Sequence, residues 1–233
     1  MSSRNTKTTG KMYTLSTSRI LACIYTCEGD KQNLSLLKQT DWYKTYSSMS
    51  NFKFIDVYAS EGIECDYLLK GSMLTVKTKE SYDNLSVKTI QMIKSCRELF
   101  DFDFLIKIDS SIISDASSKV HDIFSFENFV SQFDDKFLSE DYNGYVPIMG
   151  NTIDSFKGWA RSKNLTVMPE LIFGSLGYDN WPSRYWGGKC YILSNTSIDK
   201  LIKNEDLFHV FKDHMGACED FCVGTILKDK CNI

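Results

Sequence analysis

The sequence predicts an α/β fold, a single domain with a mostly parallel central sheet flanked by helices. Three observations point there. Short apolar runs rich in β-branched and aromatic residues recur at 19–27 (RILACIYTC), 51–58 (NFKFIDVY) and 104–108 (FLIKI), the composition of buried strands. Between these runs the apolar spacing changes to that of a helical face. The run 104–108 is broken by one lysine only, as expected of a central strand covered on both faces. Strands and helices alternating in this order imply right-handed crossovers, and in such sheets ligands gather at the carboxyl ends of the strands.

Residues 1–18 are rich in Ser, Thr and Lys without periodicity and read as a mobile tail, which leaves 19–233 as the domain. After the first strand, Glu28-Gly29-Asp30 turns the chain. Leu34, Leu37, Trp42 and Tyr46 then lie close to helical spacing and predict one helix over 33–46. Residues 67–78 hold a further strand interrupted at Gly71. Leu85, Ile90, Ile93 and Leu99 suit a long helix capped by Ser81 or Asp83. In the less regular second half, a helix is expected over 124–137 and short strands over 145–149 and 189–193, the last entered through Gly187-Gly188. Two more helices are expected, over 195–203 and from 219 to 227.

Composition narrows the function. A chain of 233 residues can bury one full core, and 42% hydrophobic with 24% charged residues is ordinary for a globular domain. The net charge of −3 gives no general attraction for nucleic-acid backbones. The longest early apolar run, Ile20 to Tyr25, is too short to cross a bilayer, so a cytoplasmic location is expected. Eight cysteines spread through apolar segments read as reduced, mostly buried thiols. The pairs Cys23/Cys27 and Cys218/Cys222 have a spacing unlike the tight knuckle of a zinc site, and core packing is their favoured reading. His121, His209 and His214 have no partner at ligand or triad spacing.

Chemistry enters at the end of the strand 104–108, which delivers Asp109 to a mouth of backbone amides, where a carboxylate can hold a cation or a sugar hydroxyl. Trp181, Tyr185 and Trp186 crowd beside Gly187 and Gly188, and they make either a stacking floor for an acceptor sugar or nucleobase, or plain core.

The order of several segments resembles glycosyltransferase family 31, the β-1,3-galactosyltransferase and Fringe group. In residues 79–109 (KESYDNLSVKTIQMIKSCRELFDFDFLIKID), Ser81, Tyr82, Asn84, Leu85, Lys88, Thr89, Lys107 and Asp109 stand where that family's D-S-Y-x-N-L-T-x-K-T and K-x-D-D-D segments want them. Downstream, YWGGKCYILS is similar to Y-x-x-G-x-G-Y-x-L-S, and Glu219, Asp220 and Gly224 match E-D-V-x-x-G. Trp42 stands for the tryptophan of R-x-T-W, without the usual arginines. The resemblance implies a GT-A fold, a UDP-sugar donor and inversion at the anomeric carbon. It makes Asp220 the general base, with Glu219 either positioning the acceptor or simply favouring a helix start. The donor is expected against Thr26, Cys27, Glu28, Ser60, Glu61, Asn84, Lys88, Lys107, Asp109, Ser110 and Ser111.

Two departures bear on the metal. Members that use manganese carry an acidic triplet where this chain reads Asp109, Ser110, Ser111, and no histidine follows Gly224. Asp109 is therefore the sole metal-ligand candidate for Mn²⁺ or Mg²⁺, and the alternative is that lysine, arginine or amide donors meet the leaving diphosphate. Three functions follow. The first is inverting transfer from a nucleotide-sugar to a hydroxyl on a glycan, a protein or a phage-type modified DNA base. The second is a GT-A pseudoenzyme that binds nucleotide-sugar or glycan. The third, another nucleotide-binding α/β protein, is opposed by the lack of a Gly-rich phosphate loop.

Overall fold

The structure is a computed structural model that describes residues 16–112, 138, 140–145, 147–162, 165–177, 179, 181–215 and 218–228. Its amino-terminal half runs β1 (Ile20–Tyr25), α1 (Lys31–Gln39), α2 (Asp41–Ser47), β2 (Phe52–Ala59), β3 (Tyr67–Lys70), β4 (Met73–Val76), α3 (Leu85–Leu99) and β5 (Phe104–Asp109). There follow β6 (Tyr142–Gly144), β7 (Pro147–Met149), α4 (Ile153–Ser162), α5 (Pro169–Leu176), β8 (Arg184–Trp186), β9 (Cys190–Ser194), α6 (Asn195–Lys203), α7 (Glu205–Met215) and α8 (Glu219–Leu227).

Seven strands form the main sheet in the order β3-β4-β2-β1-β5-β9-β6, and β7 pairs with β8 in a second, two-stranded sheet. The pairings of β4 with β2, β2 with β1 and β1 with β5 are parallel. The flanking pairings, β3 with β4, β5 with β9 and β9 with β6, are antiparallel. The sheet is thus parallel through its centre and mixed overall.

Alternation along the strands sorts their side chains into two cores, because successive residues of a strand face opposite sides of the sheet. Ile20, Ala22 and Ile24 of β1 join Phe104, Ile106 and Ile108 of β5 in one, closed by Leu34 and Leu37 of α1. Leu21, Cys23, Tyr25 and Leu105 face the other, closed by α3, α6, α7 and α8. Lys107 shares that second face, so the one lysine of the run 104–108 points into a core 1% exposed. What it meets there organises the site.

Several elements differ from the expectation. The single helix over 33–46 is two, because Thr40 takes an extended ψ of 151° and its side chain accepts from the amide of Tyr43 to start α2. Neither Ser81 nor Asp83 caps the long helix with its side chain. A 3₁₀ turn, Tyr82–Asn84, leads into α3 instead. The strand over 67–78 is a hairpin of β3 and β4 turned at Gly71, whose φ of 61° favours glycine. The strand expected at 145–149 is present as β7, starting at Pro147, while β6, which ends at Gly144 and belongs to the main sheet, lies before it and was not expected. The amphipathic helices α4, α5 and α7 had no counterpart in the sequence reading. The helix expected over 124–137 lies outside the described residues, as does most of the tail 1–18. Within that tail, Ser18 is buried and its carbonyl accepts from the Asn51 amide.

Helix α8 lies against β8 at close quarters. A Cβ on Gly224 would stand 2.4 Å from Cβ of Tyr185, which leaves room for hydrogen only. Gly224→Ala is therefore expected to destabilise the domain by about 1–3 kcal/mol through overpacking, read as a lower denaturant midpoint at unchanged m-value. An unchanged midpoint would mean that α8 can back away from β8.

Candidate active site

In the parallel register Tyr25 stands beside Asp109, so β1 and β5 release the chain at the same edge of the sheet. A cleft of about 330 Å³ opens there, lined by Thr26, Cys27, Ser81, Tyr82, Asp109 and Ser111 among others. Its wall is held by Lys88, which projects from α3 and is 2% exposed. The Lys88 ammonium donates to the Thr26 carbonyl oxygen at 2.9 Å and to both carboxylate oxygens of Glu80 at 2.9 Å. Burial lowers its pKa, against the opposing pull of Glu80. Lys88 thereby ties the end of β1 to the 78–84 loop.

On the cleft floor, Oδ1 of Asp109 accepts from the amide of Ser111 at 2.9 Å and from its hydroxyl at 2.8 Å. Lys189 in turn donates to the Ser111 hydroxyl at 2.6 Å. Burial alone would raise the Asp109 pKa, but Lys107, the Ser111 amide and Lys189 outweigh it and hold the group below its ordinary value.

Behind the cleft sits a buried acid–base cluster. Lys107 donates to Oε1 of Glu219 at 2.9 Å and to the carbonyl oxygen of Gly188, and its ammonium lies 4.7 Å from the centroid of the Tyr25 ring. Burial works against the charge on Lys107, yet the carboxylates of Glu219, Asp109 and Asp220 hold its pKa above the usual value. Gly188 is required at this point, because a Cβ there would come within 2.6 Å of Oε1 of Glu219. The Gly188 amide donates to Oδ2 of Asp220 at 2.9 Å, and the Phe221 amide to its Oδ1 at 2.8 Å. Desolvation and then the neighbouring Glu219 push Asp220 up to about 7, while it remains half-buried rather than sealed. The Tyr82 phenol is pushed up to about 12 by burial and then by Glu219, Cys218, Asp220 and Asp109. Tyr82 therefore lies within electrostatic reach of both the cleft carboxylate and Asp220.

The cleft gathers Thr26, Cys27, Lys88, Asp109 and Ser111 of the expected donor set. Ser110 is fully buried, and its hydroxyl has no hydrogen-bond partner among the described residues. Glu28 points away, exposed and paired with Lys31. Ser60 accepts from the amide of Gly62, and Glu61 and Asn84 line a different cavity. Lys107 is consumed by Glu219 and Gly188 and does not reach the cleft lining. Of the expected aromatic floor, Trp181 packs on Phe156, Phe173 and Phe221 and donates to the Asn151 carbonyl oxygen. Tyr185 lies against Phe221 and Gly224, and Trp186 covers Gly144. All three belong to the core under the site. Gly187 and Gly188 carry the chain between Trp186 and β9, with Gly188 at the Glu219 contact. The sequence reading missed Glu80 and Lys189, whose partners are eight and 78 residues away, spacings with no local signature.

The donor set does not suit a divalent cation. Among the described residues no three His, Cys, Asp or Glu side chains converge. Where the resemblance calls for two further carboxylates the chain has Ser110, buried, and Ser111, hydrogen-bonded to an ammonium. Hard-cation sites need several anionic oxygens, and a neighbouring lysine opposes one. Cys23, Cys218 and Cys222 are buried in the core rather than gathered as thiolate ligands.

No helix among the described residues is long and apolar enough to cross a membrane. No curated protein matches the chain. A family model described as Galactosyltransferase matches residues 56–233, a span that runs from within β2 past α8 and takes in Lys88, Asp109, Gly188 and Asp220. With an α/β domain of the GT-A type and a nucleotide-sized cleft at the strand ends, the chain belongs to the galactosyltransferase family, whose members transfer a sugar from a nucleotide-sugar donor.

Proposed function

We propose that the protein is an inverting hexosyltransferase that uses a UDP-sugar, with Asp220 as the general base. The observation that carries this reading is the environment of Asp220. A carboxylate whose pKa lies near 7 is matched to taking a proton from an acceptor hydroxyl at neutral pH. Two backbone amides fix its orientation.

In the proposed reaction the acceptor oxygen attacks the anomeric carbon from the face opposite the diphosphate. Its proton passes to Asp220, the new glycosidic bond forms, and the bond to the diphosphate oxygen breaks. The departing charge is met by the Lys189 ammonium beside Ser111 and by the amino-terminal end of α3. The ribose and uracil lie against Thr26 and Cys27. Asp109, held ionised by Lys107 and Ser111, accepts from donor sugar hydroxyls. No step is routed through a metal.

Asp220→Asn keeps the size of the side chain but removes the proton acceptor, together with one of the two oxygens that accept from backbone amides. Transfer is expected to fall by about a hundredfold or more, with UDP affinity unchanged. In the wild type, turnover should rise as pH climbs towards about 7 and then level, because only the ionised carboxylate accepts the proton. Stability runs the other way. The folded pKa is raised above the unfolded one, so the native state loses stability as pH rises from about 4 through about 7 and the carboxyl must ionise. The stability of the Asn variant relative to the wild type is thus expected to rise as pH climbs from about 4 to about 7, because only the wild type has a carboxyl to ionise there. Wild-type-like transfer by Asp220→Asn would end the base assignment. An inactive wild type that still binds UDP would make the protein a nucleotide-sugar-binding module.

Two further outcomes test the donor and the metal. UDP or a UDP-sugar at millimolar concentration should raise the melting temperature, since a ligand of the native state alone stabilises it. Asp109→Asn should weaken that shift, and no shift with any nucleotide would remove the donor claim. EDTA is expected to leave most of the transfer intact; complete loss restored by manganese would show that ligands lie elsewhere in the chain.

A further inference from the structure

The 78–84 loop has two faces. Glu80, Ser81 and Tyr82 line the cleft at the ends of β1 and β5. Thr78, Lys79 and Asn84, on the reverse, line a second cavity of about 590 Å³ together with Glu61, Lys77, Val87, His209 and Lys212. Three lysines and a histidine stand against one glutamate there, on a protein whose net charge is −3. The concentration of positive charge in a concavity focuses the field on whatever enters.

Among the described residues only Lys212 of these groups pairs with a carboxylate. Among the described residues Lys77 donates to a backbone carbonyl oxygen, that of Glu64, at 3.1 Å. Lys79 takes part in no ion pair among them, and the pair of Lys212 with Asp213 spans 3.4 Å between side chains 40% and 60% exposed. Thr78 is 9% exposed and Asn84 half-buried, so the cavity also has fixed polar groups at its inner end.

We infer that this second cavity binds a phosphoryl-bearing ligand, at a site separate from the donor cleft and on the other face of the loop that closes it. Lysine ammonium groups around polar hydroxyl and amide side chains are the chemistry that holds phosphate oxygens. A volume of about 590 Å³ exceeds what one phosphate fills and suits a diphosphate or a sugar phosphate. The ligand is either a soluble phosphate ester or the phosphate headgroup of a lipid. The site does not depend on the assignment of Asp220.

Inorganic pyrophosphate is the probe, titrated into the full chain in the presence of saturating UDP and followed by the imidazole proton resonances. The His209 signal, identified by its loss in His209→Gln, should move saturably, while the other histidine signals stay. Affinity should fall by about tenfold or more in Lys79→Ala/Lys212→Ala, two exposed or half-exposed positions, and should weaken with added salt. The same variant should keep the UDP-induced rise in melting temperature, which shows that it folds and that its cleft is intact. Co-sedimentation with phosphatidylglycerol vesicles, lost in the same variant, would identify a lipid headgroup as the source. Saturable pyrophosphate binding without vesicle binding would identify a soluble ester. A His209 signal that does not move, or pyrophosphate binding that saturating UDP abolishes, would overturn the site. Pyrophosphate binding undiminished in Lys79→Ala/Lys212→Ala would overturn it equally. Loss of UDP binding in the wild type would count against the donor cleft and leave this inference standing.

Discussion

A buried lysine fixes the arrangement of the active site. Lys107 occupies a core-facing position of the central strand, where an apolar residue would be the simple choice, and an ammonium in that place is stable only with a partner. Glu219 supplies it from the first turn of α8, and the Gly188 carbonyl completes it. The pair therefore sets where α8 begins relative to β5. Gly188 must lack a side chain for Glu219 to reach, and its amide is then in position to hold Asp220. Asp220 is placed by a chain of contacts that starts at the lysine. Removing either partner of such a pair costs about 3–5 kcal/mol, so the geometry around Asp220 is well protected.

At the cleft floor an ammonium stands close to the one carboxylate of residues 109–111. Lys189 is joined to Asp109 through the Ser111 hydroxyl, which accepts from the lysine and donates to the carboxylate. Serines at 110 and 111 leave Asp109 as the one carboxylate of that tripeptide, with the Lys189 ammonium on the Ser111 hydroxyl. Positive charge is still available to a leaving diphosphate, in the form of a side chain and a helix end.

Much of this was legible in the sequence, for identifiable reasons. Strand β1 is a continuous apolar run and β5 one broken only by Lys107, because both faces are covered, and α6 and α8 start at residues 195 and 219, as expected from the sequence. The motif residues Lys88, Asp109, Gly188 and Asp220 do come together at one edge of the sheet. What failed was long-range. Nothing local distinguishes Lys107, which is buried, from Lys189, which reaches the cleft floor, since each is one lysine within or beside an apolar strand. Parity along the strand decides it, and that depends on which face α8 covers. The aromatics beside Gly187-Gly188 read equally well as platform or core, and contacts with Phe156, Phe173 and Phe221, all distant in sequence, make Trp181 core. Thr40 splits a helix whose apolar spacing is unbroken, because its backbone is extended there and its hydroxyl caps the next turn.

The order of the chain adds a constraint on how the protein is made. Lys107 emerges 112 residues ahead of Glu219, an interval on the order of ten seconds at ordinary rates of synthesis. Through that interval the strand that will become the centre of the sheet carries a charge with no carboxylate to meet it. The nascent domain therefore has reason to leave β5 hydrated, or its sheet incomplete, until α8 arrives, and closing of the core and assembly of the Lys107–Glu219–Asp220 cluster become one late event.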